Sequence, residues 1–139
     1  MTQHESREYK IAANCTLQLL QPAPGSYGPI TRDFRVVRLI GHLDANNYAP
    51  FHEVIVGTMA GGVHRYIFDL SALKYISSAG VGVLIAIFKD CEEQEGWVKL
   101  CGLAEHIGTI LSVLKVTDFI PEYPTLVEAL EAVKQGKAR

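Results

Sequence analysis

The sequence is poor in cysteine, with only Cys15, Cys91 and Cys101, far apart and odd in number. No C-x-x-C pair occurs. That argues against a disulfide framework, a zinc ribbon and thioredoxin-like redox chemistry, and it fits a reducing, cytoplasmic setting. A basic block is also missing. Lys and Arg number 13 against 15 Asp and Glu, for a net charge of -2. A nucleic-acid binder needs clustered cations to neutralise a phosphate backbone, so direct nucleic-acid binding is not expected. No apolar run approaches the roughly 18 residues that would span a bilayer. The longest, VGVLIAIF, stops at Lys89 and Asp90 and suits a core segment better. The opening MTQHESREYK lacks the basic-then-apolar order of a signal peptide. The five histidines (His4, His42, His52, His64, His106) show no H-x-x-x-H spacing, so no metal is expected. GVGVLI at 80–85 fails as a dinucleotide fingerprint, because Ile85 stands where the third glycine belongs, and no phosphate-binding G-x-x-x-x-G-K-[ST] loop exists. No convergent set of titratable groups suggests an enzyme, and no cofactor is implied.

What remains is a chain of 139 residues, 48% hydrophobic and 20% charged, enough for one domain with a real core. Residues 1 to about 12 are polar and expected to be flexible, with the folded domain over 13–135. CTLQLL (15–20) and FRVVRLIG (34–41) read as strands of a hairpin with a long connection. QPAPGSYGPI (21–30), with its prolines and glycines, forms that loop. Asn46 or Asn47 can cap a helix carrying Phe51, Val54, Ile55, Thr58 and Met59 on one side, which Gly61 and Gly62 end. HRYIFDL (64–70) reads as a short buried strand. From Ala79 to about Glu93, the residues Val81, Leu84, Ile85, Phe88 and Cys91 share a helical face, which Gly96 closes. WVKLCGL (97–103) is a strand, and Ile107, Ile110, Leu111 and Leu114 mark a further helix. DFIPEY (118–123) suits a short edge strand, because Pro121 lacks a ladder donor. Thr125 and Glu128 form a capping box ahead of LVEALEAV. The alternation predicts an α/β fold with a mostly parallel sheet.

The stretch DLSALKYISSAGVGVLIAIFKDC places Ser77 and Ser78 before a helix whose first residues are small. Such serines are most often caps, worth about 1 kcal/mol. A helix start also has free amides and a dipole that favour negative charge, so it is a good place for a phosphate. Small neighbours such as Ala79, Gly80 and Gly82 would let another protein's active site come close.

These residues resemble the STAS domain family, within it the bacterial anti-sigma factor antagonists. That family carries a strand ending in D-[LV]-S and then D-S-[ST]-G-[LV]-G-V leading into a helix. Here Asp69-Leu70-Ser71 is followed by Ser77-Ser78-Ala79-Gly80-Val81-Gly82-Val83. A second block, G-E-[LI]-D with a later Ala-Pro, appears as Gly41-His42-Leu43-Asp44 with Ala49-Pro50. The similarity runs over about residues 33 to 133. It implies a STAS-like mixed, mostly parallel sheet of four to five strands, with about four helices packed mainly on one side.

The resemblance implies a phosphoacceptor at Ser78, or else at Ser77, and a contact surface of Asp44, Asn46, Ser77, Ser78, Gly80 and Gly82. It implies an anti-sigma factor, a serine kinase of GHKL type, as partner, a PP2C-type phosphatase that resets the switch, and a monomer or weak dimer. The chain departs from the pattern at Ser77 for Asp, Ala79 for the second hydroxyl and His42 for Glu. Two other jobs stay open: a STAS module whose serines only cap the helix, and a scaffold or regulatory subunit of a stress-sensing or transporter complex.

Overall fold

A computed structural model describes residues 5–22 and 33–136. Six strands form one sheet in sequence order: β1 (Glu5–Ala12), β2 (Cys15–Gln21), β3 (Arg35–Leu43), β4 (Arg65–Ile76), β5 (Trp97–Cys101) and β6 (Glu122–Tyr123). Strands β1 and β3 each run antiparallel to β2 between them, and β3 to β6 run parallel. The helices are α1 (Tyr48–Ala60), α2 (Ser78–Glu93), α3 (Glu105–Val113) and α4 (Leu126–Lys134), with a short 3-10 turn at Val116–Asp118. The Pro/Gly-rich loop expected at 21–30 lies mostly outside the described residues.

Alternation along the strands sorts two cores onto the two faces of the sheet. Leu17, Leu19, Val37, Leu39, Tyr66, Phe68, Val98 and Leu100 meet Phe51 and Ile55 of α1, Leu84 and Ile87 of α2 and Ile107 and Leu111 of α3. Phe34, Val36, Ile67, Trp97 and Cys101 meet Ala129 and Val133 of α4. Three helices therefore cover one face and one covers the other.

Three sequence expectations need correction. The N-terminal stretch is not frayed from Glu5 onward. Glu5–Ala12 pairs with β2 and brings Tyr9 and Ile11 against the larger core, so the sheet has six strands rather than four to five. Strand β4 does not stop at Leu70 but continues to Ile76. Its second half pairs with Ile40–Leu43 of β3, across two register irregularities, and buries Leu73 and Ile76. The edge strand at 118–123 shrinks to Glu122–Tyr123, because Val116 and Ile120 turn inward to the core. The helix ends are closer to expectation. Thr125 caps α4 by accepting from the Glu128 amide at 3.2 Å, while its hydroxyl donates to the Glu128 carboxylate. After α2 it is Glu95 that takes the left-handed conformation, at φ 60°, two residues past the last helical residue Glu93. Gly96 is needed for a different reason: a Cβ there would run into the His64 carbonyl.

Candidate functional site

Strands β3 and β4 end side by side, and both hand over to a helix there. The Ser77 amide donates to the Leu43 carbonyl at 3.0 Å, which ties the start of α2 to the end of β3. Ser77 is extended (φ −96°, ψ 173°), and its Oγ accepts from the Gly80 amide at 3.3 Å. Ser77 is thus the cap. Ser78 is the first helical residue, and its side chain is exposed. The hydroxyl adjoins the amides of the first turn, which an α-helix leaves without intrahelical partners.

The small residues of this motif do different things. Gly80 is buried, and a Cβ there would come within 2.7 Å of the Leu43 carbonyl and 2.9 Å of Ile76. Expected on or near the contact surface, it is buried and lets α2 pack onto the strand ends. Gly82 is exposed, with nothing within 4 Å of a built Cβ. No packing in the described fold requires glycine there, although glycine costs a helix interior about 1 kcal/mol against alanine. Ser78 and Gly82 are four residues apart, so they lie on the same stripe of α2. Together they leave a low, open patch.

The turn after β3 forms the other half. The Asp44 carboxylate accepts from the Asn46 amide at 2.9 Å, an Asx turn. Asn47 precedes α1 but does not cap it with its side chain. Its Oδ1 instead accepts from the Asp44 amide at 2.9 Å, while its Nδ2 donates to the His42 carbonyl at 3.0 Å and to Asn14 Oδ1 at 3.1 Å. Asn47 is buried, and it clamps the turn that presents Asp44 and Asn46. The Asp44 carboxylate also reaches Cys15 electrostatically. That thiol is pushed up first by burial and second by this negative charge.

The sequence reading missed two aromatics. Tyr75 is 47% exposed, and its ring tilts against His42 with centroids 5.7 Å apart. Tyr48, the first residue of α1, is also exposed. Nε2 of His106 on α3 lies 2.7 Å from the Lys74 carbonyl, bringing a third segment to this end. Tyrosines are enriched at protein interfaces, where a ring supplies area at little entropic cost. Their signal in the sequence was weak because a lone Tyr in a strand is usually core.

The STAS domain model matches residues 29–129. The chain belongs to the STAS domain family. Among curated relatives is the anti-sigma-B factor antagonist of Staphylococcus epidermidis, 25% identical over 88 residues, which span 63% of this chain and 82% of that one. An anti-sigma factor antagonist from Mycobacterium paratuberculosis superposes with TM-score 0.68 at 19% identity over 95% of each chain. The anti-sigma factor antagonist SpoIIAA has been solved unphosphorylated and phosphorylated. The former superposes with TM-score 0.66 at 21% identity over 76% of this chain and 92% of that one. The latter gives TM-score 0.60 at 23% identity over 75% and 94%. These likenesses show the STAS fold. Among the described residues, no helix is long and apolar enough to cross a membrane.

Proposed function

We propose that this STAS domain is an anti-sigma factor antagonist that works by partner switching. Unphosphorylated, it docks an anti-sigma factor, a serine kinase of the GHKL type, and so frees a sigma factor. The kinase transfers phosphate to the Ser78 hydroxyl and the complex comes apart. A PP2C-type phosphatase then removes the phosphate. Asp44, Asn46, Ser77, Ser78 and Gly82 form the docking surface, flanked by Tyr75 and Tyr48, with Gly80 holding the helix start in place.

The observation that carries this reading is the division of labour at 77–78. Ser77 is occupied as the cap, while Ser78 stands exposed beside a glycine that packing does not demand. The phosphorylated form of SpoIIAA supports it by analogy. A phosphate at Ser78 adds about 1.5 to 2 negative charges at a surface meant for close contact, where desolvation and like charge oppose binding. The same phosphate lies at a helix N-terminus, so the fold itself tolerates it.

The departures from the family pattern favour a second reading. Ser77 and Ala79 replace an acid and a hydroxyl next to the acceptor, and a scaffold needs neither. Phosphosite mapping after incubation with ATP and a GHKL-type kinase from the same genome separates the two. Modification at Ser78 is the expected result. Modification at Ser77 alone, or none with a kinase that binds the chain, defeats the Ser78 switch.

A further inference from the structure

At the far end of the sheet from Ser78, α1 stands away from β1 and leaves a cavity of about 470 Å³. That is within the range typical of small-molecule sites, ~300–1,000 Å³. Strands β3 and β4 end at Leu43 and Ile76 beside Ser77, whereas the cavity lies by the start of β3, at Arg35, and by Val63 just before β4. Nine residues of β3 separate the two places, roughly 25 Å. Strands β1 and β2 lie outside the stretch that matches the family, so much of this wall is additional to the shared core.

The lining has a direction. Arg7 of β1 pairs in register with Leu19 of β2, and Leu19 with Val37 of β3, so Arg7 shares a sheet face with Arg35, two residues before Val37. Both arginines line the cavity, with Leu19 of β2, Val54 of α1 and Val63 as its apolar lining. Arg7 is exposed and has no ion-pair partner among the described residues. Arg35 uses Nη1 for Asp33, at 2.6 Å, and for the Phe34 carbonyl; Nε and Nη2 lie outside that pair. Glu53 lines both this cavity and a neighbouring one, with Tyr9 and Val54, so one carboxylate shares the space with the two arginines. The helical wall carries glycine beside Glu53, Val54 and Thr58. Gly57 and Gly61 both line the space, and a Cβ on Gly57 would meet nothing within 4 Å. Glycine inside α1 therefore has no packing cause among the described residues; the position is exposed, and a side chain there would enter open space at the cavity's edge.

From these observations we infer that the cavity between α1 and the β1–β2 hairpin binds a small organic anion with an apolar body. Its carboxylate or phosphate group is held by Arg7 and Arg35, and its apolar part lies along Leu19, Val54 and Val63 against the helix at Gly57. Guanidinium groups suit either oxyanion through paired N–H donors. This site is independent of the switch at Ser78.

Titration of the full chain with octanoate, octyl phosphate and octanol, followed by amide chemical shifts, tests the inference. Octanoate or octyl phosphate is expected to bind saturably at about 1 mM or tighter, while octanol binds at least about tenfold more weakly. Which of the two anions binds better tells carboxylate from phosphate. The shifts should centre on Arg7, Tyr9, Gly57 and Gly61. Arg7→Gln should weaken binding about tenfold, and Gly57→Leu, whose Cβ would meet nothing within 4 Å, should abolish it with the thermal midpoint retained. No saturable shift, equal binding of octanol, or undiminished binding by the Gly57→Leu chain overturns the inference.

Discussion

Adjacent serines at the start of α2 differ in setting, Ser77 capping the helix and Ser78 exposed, and under the proposed function substitution should pull them apart. Ser77→Ala removes the acceptor for the Gly80 amide and should cost about 1 kcal/mol, read as a fall of several degrees in thermal midpoint. Phosphorylation at Ser78 should persist in that variant, and its loss would make Ser77 more than a cap. Gly82→Ala should move stability and binding in opposite directions. Alanine enters open space on a helix and should stabilise by about 0.5–1 kcal/mol, while its methyl stands up from the docking patch and weakens the partner. Calorimetry on both quantities decides; a variant that is more stable and binds equally well places Gly82 outside the interface. A third residue, far from this site, governs alkaline behaviour. Lys99 is fully buried, its Nζ 4.5 Å above the Trp97 ring, and burial pulls its ammonium down to about 8. The unfolded chain keeps that proton to roughly pH 10, so it binds more protons than the native chain above pH 8. Stability from this residue therefore rises with pH, by up to about 1.4 kcal/mol per unit. The Cys91 and Cys101 thiols, pushed up to about 12 mainly by burial, act in the opposite sense once pH exceeds their ordinary value of 9.0. Urea unfolding between pH 8 and 9 should thus show a rise for the native sequence that Lys99→Met lacks, and parallel curves would refute the assignment.

At the scale of elements, pairing overrode local composition twice. ESREYKIA looks like a polar tail, with only Tyr9, Ile11 and Ala12 apolar, yet the β2 backbone draws it into the sheet. Removing residues 1–12 should cost on the order of 2 kcal/mol or more, because Tyr9 and Ile11 leave the core and β2 becomes an open edge. The denaturant midpoint should fall and self-association should grow. An unchanged midpoint would mean that β1 only decorates the sheet. The second half of β4 is similar: SALKYI has no clean alternation, because its pairing with β3 slips twice, and the strand is held by Leu73 and Ile76 in the core. The helices behaved differently. The capping box of α4, the end of α1 at Gly61 and most of the stripes on α2 and α3 were legible, since they depend on residues within a turn or two; Leu114 instead follows α3 and is exposed, and α2 also buries Val83 and Ile87. The Asn47 clamp was not legible, because its partners include Asn14, thirty-three positions away.

For the molecule as a whole, the exposed position of Ser78 predicts a switch that works by surface charge rather than by refolding. Ser78→Asp should leave the thermal midpoint within about two degrees, because an acid at a helix N-terminus is accommodated. The same change should weaken a kinase-type partner on the order of 100-fold, about 3 kcal/mol. Ser78→Ala should hold that partner even with ATP present. A large drop in midpoint for Ser78→Asp, or release of the Ser78→Ala chain by ATP, would contradict this. On the proposed reading the two ends of the sheet would serve different purposes, docking at the close of β3 and β4 and anion binding in the Arg7–Arg35 cavity at their start. Periodicity, caps and the S-S-A-G-V-G-V run suffice to name the helices, the α/β class and the serine pair, because each depends on neighbours along the chain. Which serine caps and which faces solvent, why one glycine is buried and its neighbour bare, and where β1 joins the sheet depend on atoms brought together from distant segments. Such contacts leave no local trace, so they emerge only once the chain is folded.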